Sequence, residues 1–311
     1  MLDLDSPLAM DVRIGMTRYP KTLPPRWLYD EAGSRLFDEI TRLPEYYPTE
    51  TERAILRTHA HEIVTLSGAT TLVELGSGTS DKTTTLLDAF TTIGALHTFV
   101  PVDVSEEVLH EAAILLRQRY PAVRVLPLVA DFTESLSLPN NGPRLVAFMG
   151  GTLGNFYPDA RHLFLENLAG ALAPGDHVLV GTDLIKSADR LIAAYHDEQD
   201  VTERFILNVL NVMNNALHSE FDAATFEYIP MWDAPNNRMD LRLRSLCDQQ
   251  VPSPGAGITA SFSEGEEIRV EISTKFRIPE LESELEAVGL RPIRVMTDPN
   301  KDFALTLARR Q

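Results

Sequence analysis

Cysteine is almost absent: Cys247 is the only one in 311 residues, so no disulfide closes within the chain and a reducing, cytoplasmic setting is expected. Basic residues are scarce as well. Against 45 Asp and Glu stand 28 Lys and Arg, a formal charge of −17, and a field of that sign repels polyanions. No local basic run offsets it, which excludes nucleic acid as a substrate. No uninterrupted apolar segment reaches the roughly 20 residues that a membrane-spanning helix needs. Met1-Leu2-Asp3-Leu4-Asp5 lacks the basic start and apolar stretch of a secretion signal. Metal-ligand spacing is missing too, since His59 and His61 are two apart on an expected helix and do not share a face. No metal is expected, and neither an internal repeat nor a low-complexity tract occurs.

What the chain does have is 44% hydrophobic residues over a length that allows one elaborated domain or two. From Thr51 to about Lys186 short apolar runs alternate with helix-like segments, the pattern of parallel strands joined by crossover helices. Strands are expected at Thr71-Leu75, Thr98-Val102, Arg124-Ala130, Leu145-Met149 and His177-Gly181. A helix is expected over Ser105-Arg119, with Ser105 as its cap and Glu106 and Glu107 in its first turn. After Lys186 a helical stretch runs to about Leu217. Alternating segments follow at Met239-Arg244 and Ile268-Ser273, with a hairpin connection at Asp233-Asn237 and a plain loop at Val251-Gly257. A last helix ends at Gly289, and Ile293-Met296 and Phe303-Ala308 are expected to close the main sheet. The fold class is therefore α/β, a doubly wound Rossmann-like sheet with a second, smaller α+β domain. The expected division is 52–185 with 275–311 for the cofactor domain and 1–51 with 186–274 for the substrate domain. The first fifty residues, rich in aromatics and prolines, read as a surface-packed cap.

The sharpest local signal is Val73-Glu74-Leu75-Gly76-Ser77-Gly78-Thr79-Ser80. A strand, a glycine turn and a helix let the backbone approach a ligand closely, because glycine leaves room and tolerates the dihedrals. A dinucleotide fingerprint would place a third glycine where this chain has Asp81, and a carboxylate at a helix N-terminus opposes a pyrophosphate. A phosphate-free nucleoside ligand meets no such objection, and S-adenosylmethionine is one. Asp103 and Asp131 follow expected strands. Asp103 is placed to accept from ribose hydroxyls, Asp131 to accept the adenine amine, and Phe132 to stack on its ring, all at the carboxyl ends where ligands lie in such sheets.

The chain also resembles the histidine-specific α-N-methyltransferases of ergothioneine biosynthesis, which convert L-histidine to its trimethyl betaine, hercynine. The likeness covers nearly the whole length. It is carried by Lys21-Thr22-Leu23-Pro24-Pro25-Arg26-Trp27-Leu28-Tyr29-Asp30, Ile40-Thr41-Arg42-Leu43-Pro44-Glu45-Tyr46-Tyr47-Pro48-Thr49, the glycine segment through Thr83, Leu153-Gly154-Asn155, Gly181-Thr182-Asp183-Leu184 and Lys275-Phe276-Arg277. The resemblance implies that Gly76, Lys82, Asp103, Asp131 and Phe132 hold S-adenosylmethionine, leaving S-adenosylhomocysteine as product, with Tyr29 also close to the cofactor. It implies that Asn155 and Tyr195 bind the substrate carboxylate and that Tyr46, Glu271 and Ser273 surround the imidazole. Tyr29 and Asn155 then stand beside the reacting groups.

One part of this is also readable from spacing. Glu271 and Ser273 are two apart on an expected strand and share a side, with Val270 and Ile272 on the other, so a carboxylate and a hydroxyl together face an imidazole N–H. The pattern departs at Leu241, where a methionine is common, and at Gly151, where a serine is expected. The small-molecule partner is L-histidine, acted on by a monomer. Two other readings stand beside it: an α-N-methyltransferase of tryptophan or tyrosine on the same fold, and a nucleotide-binding module without catalysis.

Overall fold

The structure, a computed structural model, describes residues 4–133, 138–139 and 142–311; Met1-Leu2-Asp3 of the N-terminal reading lies outside them. The chain forms two compact units, Pro48–Ile185 with Lys275–Gln311, and Met1–Tyr47 with Lys186–Thr274.

The first unit is built on an eight-stranded sheet. Its order runs Leu290–Thr297, Phe303–Arg310, His177–Asp183, Arg144–Phe148, Thr71–Leu75, Thr98–Asp103 and Arg124–Val125, with Leu128–Val129 also paired to the Thr98–Asp103 strand. The strands from His177–Asp183 across to the short ones pair in parallel, whereas the last two of the chain are antiparallel. Every residue of Thr71–Leu75, Arg144–Phe148 and His177–Asp183 is buried, because crossover helices cover both faces of a parallel sheet. Side chains alternate across it. Leu72, Phe99, Leu145 and Leu179 join one apolar cluster with the Tyr47–Ser67 and Thr84–Ile93 helices. Val73, Val100, Val146 and Val178 join another with Pro158–Gly170 and Ile278–Ala287.

Two local expectations change. The single strand Arg124-Ala130 is two strands of two residues each, because Pro127 between them brings no N–H to the ladder. Ser105 makes no side-chain cap on Glu106–Arg119; its own N–H donates to Asp103 Oδ1 at 3.1 Å, which turns the chain into the helix instead.

In the second unit, Lys21–Thr22, Glu267–Thr274, Arg238–Ser245 and Phe226–Asp233 form a four-stranded sheet in that order. The expected hairpin is present, turning through Ala234–Asn236 to Asn237 at φ 50°. Val251-Gly257 is not a plain loop: Gln249–Ser253 pairs with Ile258–Phe262 in a two-stranded ribbon, turning at Gly257. Pro252 disguises it, and is tolerated because each strand of a ribbon has one free edge. The helical stretch after Lys186 is two helices, Ala188–Tyr195 and Val201–Leu217. Nor is the N-terminal segment a surface cap. Leu8, Ala9, Val12 and Met16 of the Pro7–Thr17 helix are buried in this unit's core, and Lys21–Thr22 adds a parallel strand.

In the first unit a buried ion pair pins the start of a central strand. Asp176 accepts from the Arg144 backbone N–H at 2.9 Å, from its Nε at 2.7 Å and from Ala173 N at 2.9 Å. Both side chains are 4% exposed. Removing one partner strands a buried charge, so Asp176→Ala should cost about 3 kcal/mol or more. A urea midpoint equal to that of the parent protein would contradict this.

Candidate cofactor and substrate sites

In the first unit the glycine turn is shaped by its own backbone. Gly76 and Gly78 have φ of +68° and +47°, values that favour glycine. The N–H groups of Gly76 and Ser77 both donate to Val102 O, at 2.8 and 3.0 Å, and Gly78 N–H donates to Asp103 Oδ2 at 2.8 Å. Asp103 thus ties the turn to the next strand end while each oxygen keeps a second lone pair for a ligand hydroxyl. A side chain at Gly76 would begin 3.5 Å from the Phe132 ring. That ring packs edge-on to Phe148 and Phe164, and Asp131, half-buried, accepts from Thr133 N–H at 2.9 Å. Ser77 Oγ is buried with no hydrogen-bond partner among the described residues. An aromatic face, two carboxylates at neighbouring strand ends and an unpaired hydroxyl fit a nucleoside with an amino-acid tail.

Asp81 does not sit on the helix end. The helix starts at Thr84, and Asp81 is exposed and paired with Arg53 at 2.7 Å. The Asp81 carboxylate therefore does not stand at the helix end, where it would oppose a pyrophosphate. Gly150 and Gly151, at φ +82° and +74°, turn the chain into the short Thr152–Asn155 helix and leave Asn155 half-buried at its end. Glycine at position 151 suits that dihedral, which a serine would adopt only under strain.

Two carboxylates beneath the turn carry no expectation from the sequence. Glu74, in the middle of an all-buried strand, accepts from the Thr83 hydroxyl. Burial pushes its carboxyl up to about 7, against the pull of Thr83 and Lys82. Glu52 is fully buried and pairs with Lys82 Nζ at 2.5 Å. Its signal was its place on a helical stripe, since Thr49, Ile55 and Leu56, three or four residues away, are buried on the same face. Glu74 was signalled by a charge inside a continuous apolar strand.

The second unit gathers the remaining expected residues. Glu267 and Arg269 stand opposite Arg244 and Arg242, and then the register shifts between Arg269 and Glu271. Glu271 consequently stands opposite Leu241, and Ser273 opposite Met239, both members of the buried apolar cluster. Without the shift, simple alternation would point Glu271 and Ser273 toward Asp240 and its three arginines, Arg238, Arg242 and Arg269. Their shared face is confirmed, but Val270 is not on the opposite one: it is buried in the same cluster.

Aromatic rings surround this pair. Tyr195 donates to Ser273 Oγ at 2.9 Å, and its backbone carbonyl accepts from Tyr228 OH at 2.8 Å. Tyr46 meets Tyr195 edge-on at 6.2 Å between centroids, Phe37 meets Tyr46 at 6.3 Å, and Tyr29 meets Phe37 at 5.5 Å. Glu271 is 8% exposed. Tyr228 was not expected in the site; burial first, and then the Glu271 carboxylate, hold its phenol well above the usual range. The expected residues thus fall into two groups, Gly76, Lys82, Asp103, Asp131, Phe132 and Asn155 in one unit, Tyr29, Tyr46, Tyr195, Glu271 and Ser273 in the other. Among the described residues no three His, Cys, Asp or Glu side chains gather as metal ligands would.

Comparison with known proteins adds to this geometry. The model of the S-adenosylmethionine-dependent, histidine-specific methyltransferases matches residues 8–310. The chain is 47% identical over 302 residues to the histidine N-alpha-methyltransferase of Mycolicibacterium smegmatis, covering 97% of this chain and 94% of that protein. It is 46% identical, over the same shares, to the histidine N-alpha-methyltransferase of Mycobacterium tuberculosis. Among solved structures, the mitomycin 7-O-methyltransferase superposes with a TM-score of 0.50 at 18% identity, covering 98% of this chain and 68% of that one. That likeness shows the fold, a class I methyltransferase sheet.

Glu74 gives a pH signature. Its carboxyl is raised from 4.5 to about 7 in the fold, so the folded state holds a proton that the unfolded state releases, and stability falls as pH rises from about 4.5 through 7. The full span is worth roughly 3 kcal/mol. Glu74→Gln should flatten that decline in denaturation midpoints between pH 5 and 8; an identical slope in both proteins would remove Glu74 as its source.

Proposed function

This chain belongs to the histidine-specific, S-adenosylmethionine-dependent methyltransferase family, and we propose that it methylates the α-amine of L-histidine. Three successive transfers give hercynine, the trimethylated amino acid of ergothioneine biosynthesis. The observation that carries this reading is the shifted strand that turns Glu271 and Ser273 inward beside Tyr195. A carboxylate, 8% exposed, and a hydroxyl on one apolar face are acceptors matched to an imidazole N–H. The single, exposed Cys247 supports a reducing, cytoplasmic setting.

Gly76, Lys82, Asp103, Asp131 and Phe132 would hold S-adenosylmethionine, which when bound supplies an electrophilic methyl group on a sulfonium. The acceptor must be the neutral amine, since an ammonium has no lone pair. A free α-amine with a pKa of about 8 is partly neutral near pH 7, so no strong base is required. The chain's own contribution is orientation. Repeated transfer removes every N–H from the nitrogen, so the contacts that hold the substrate must lie elsewhere. Glu271 and Ser273 take the imidazole, while Asn155 and Tyr195 take the carboxylate. Tyr46 lies with Glu271 and Ser273 about the imidazole, and Tyr29 stands close to the cofactor.

Incubation with S-adenosylmethionine and each of histidine, tryptophan and tyrosine, followed by mass spectrometry, tests the assignment. Trimethylated histidine should dominate. Product from tryptophan or tyrosine alone would move the reading to another aromatic amino acid, and no product from any of them would reject it. The ligand sets are separable by titration: Glu271→Ala should weaken histidine about tenfold or more and S-adenosylhomocysteine little, with Asp103→Ala showing the reverse. Equal losses for both ligands in either variant would break the division.

A further inference from the structure

Glu52 comes from the Tyr47–Ser67 helix, yet its carboxylate lies among the ends of three sheet strands. Its two oxygens accept from Gly150 N–H at 2.9 and 3.0 Å, just past the Arg144–Phe148 strand. Oε2 takes the Lys82 ammonium at 2.5 Å, from the loop that follows Thr71–Leu75. Beside them Gly181, on His177–Asp183, leaves the necessary gap: a methyl there would begin 2.1 Å from Glu52 Oε1. The lysine is poised at the turn as well, since a side chain at Gly150 would start 3.3 Å from its Nζ. The side chain of Glu52 is 0% exposed and that of Lys82 is 22% exposed. A buried carboxylate is tolerated only when partnered, and these partners are two segments that reach the carboxyl edge, where ligands of such sheets lie.

We propose that Glu52 is a positioning residue for the cofactor site, fixing the Lys82 side chain and the Gly150 turn in the arrangement that S-adenosylmethionine requires. The proposal rests on the reading that this edge takes that cofactor. A lysine on a flexible stem loses considerable rotamer freedom when it is held. The pair with Glu52 makes that loss before the ligand arrives, so cofactor binding does not have to bear it. Glu52 touches neither substrate nor cofactor in this account. It acts through Lys82 and through the backbone of Gly150, and its effect should therefore appear in cofactor affinity and shrink when Lys82 is removed.

Calorimetric titration of S-adenosylhomocysteine into the full chain and its Glu52→Gln, Lys82→Met and doubly substituted variants tests this, with thermal melts to check folding. Glu52→Gln should bind about tenfold more weakly, and the double variant should lose less than the product of the two single losses, the signature of coupled residues. Glu52→Asp, which keeps the charge on a shorter stem, should recover part of the loss and serves if the glutamine variant does not fold. Affinity within twofold of the parent for Glu52→Gln and Glu52→Asp, or losses that multiply in the double variant, would overturn the proposal while leaving the methyltransferase reading intact. A parent protein that does not bind S-adenosylhomocysteine would overturn both.

Discussion

A carboxylate withdrawn from water must find donors within the protein, and at the carboxyl edge of the main sheet this requirement sets the arrangement of everything nearby. Glu52 and Glu74 are both buried there, with Lys82 as the cation between them. One lysine cannot fully compensate two buried anions. Glu52 takes the direct ion pair and Gly150 N–H, whereas Glu74 keeps the Thr83 hydroxyl as donor and is pushed toward protonation by burial. Gly181 is small because Glu52 occupies the space that its side chain would fill. The glycine turn above is then held from the other side, through Val102 O and Asp103. The buried carboxylates thus hold the lysine and the backbone turn at this edge without facing solvent themselves.

The second unit solves a different problem, that of presenting polar groups on an apolar face. Regular alternation along Glu267–Thr274 would send Glu271 to the side of Asp240, where three arginines already compete for one carboxylate. A one-residue register shift after Arg269 sends it to the side of Met239 and Leu241 instead. Bulges bend and re-aim strands in this way at the cost of a ladder bond. The hydroxyl of Tyr195 on Ser273, and Tyr228 on the Tyr195 backbone, then fix the donors and acceptors around Glu271.

Much of this was legible in the sequence because burial on both faces of a parallel sheet leaves unbroken apolar runs, and glycines mark close turns. Thr71–Leu75, His177–Asp183 and the closing strands were visible for that reason. The ribbon at Gln249–Phe262 was hidden because Pro252 and Gly257 read as loop, although a free strand edge accepts proline. The single strand expected over Arg124-Ala130 failed at Pro127 for the same residue's other property, its missing N–H. Within the candidate sites, Asp103 was expected from its position after a strand, and Glu271 from the resemblance, with its spacing from Ser273 in agreement. Glu52 and Tyr228 were not, because each belongs to an element far along the chain from the residues it serves, and sequence periodicity reports only which face is buried.

Asp81 shows how an inference and its premise can part. The missing third glycine pointed away from a pyrophosphate through an expected charge at a helix end, yet Asp81 lies ahead of that helix and turns outward to Arg53. What distinguishes the site physically is the buried charge under the turn. With Glu74 held near its titration point and Glu52 already matched by Lys82, the edge offers no surplus of positive charge to a polyanion. The family to which the chain belongs, together with the carboxylates at the strand ends, points to a phosphate-free cofactor more firmly than the residue that first suggested it.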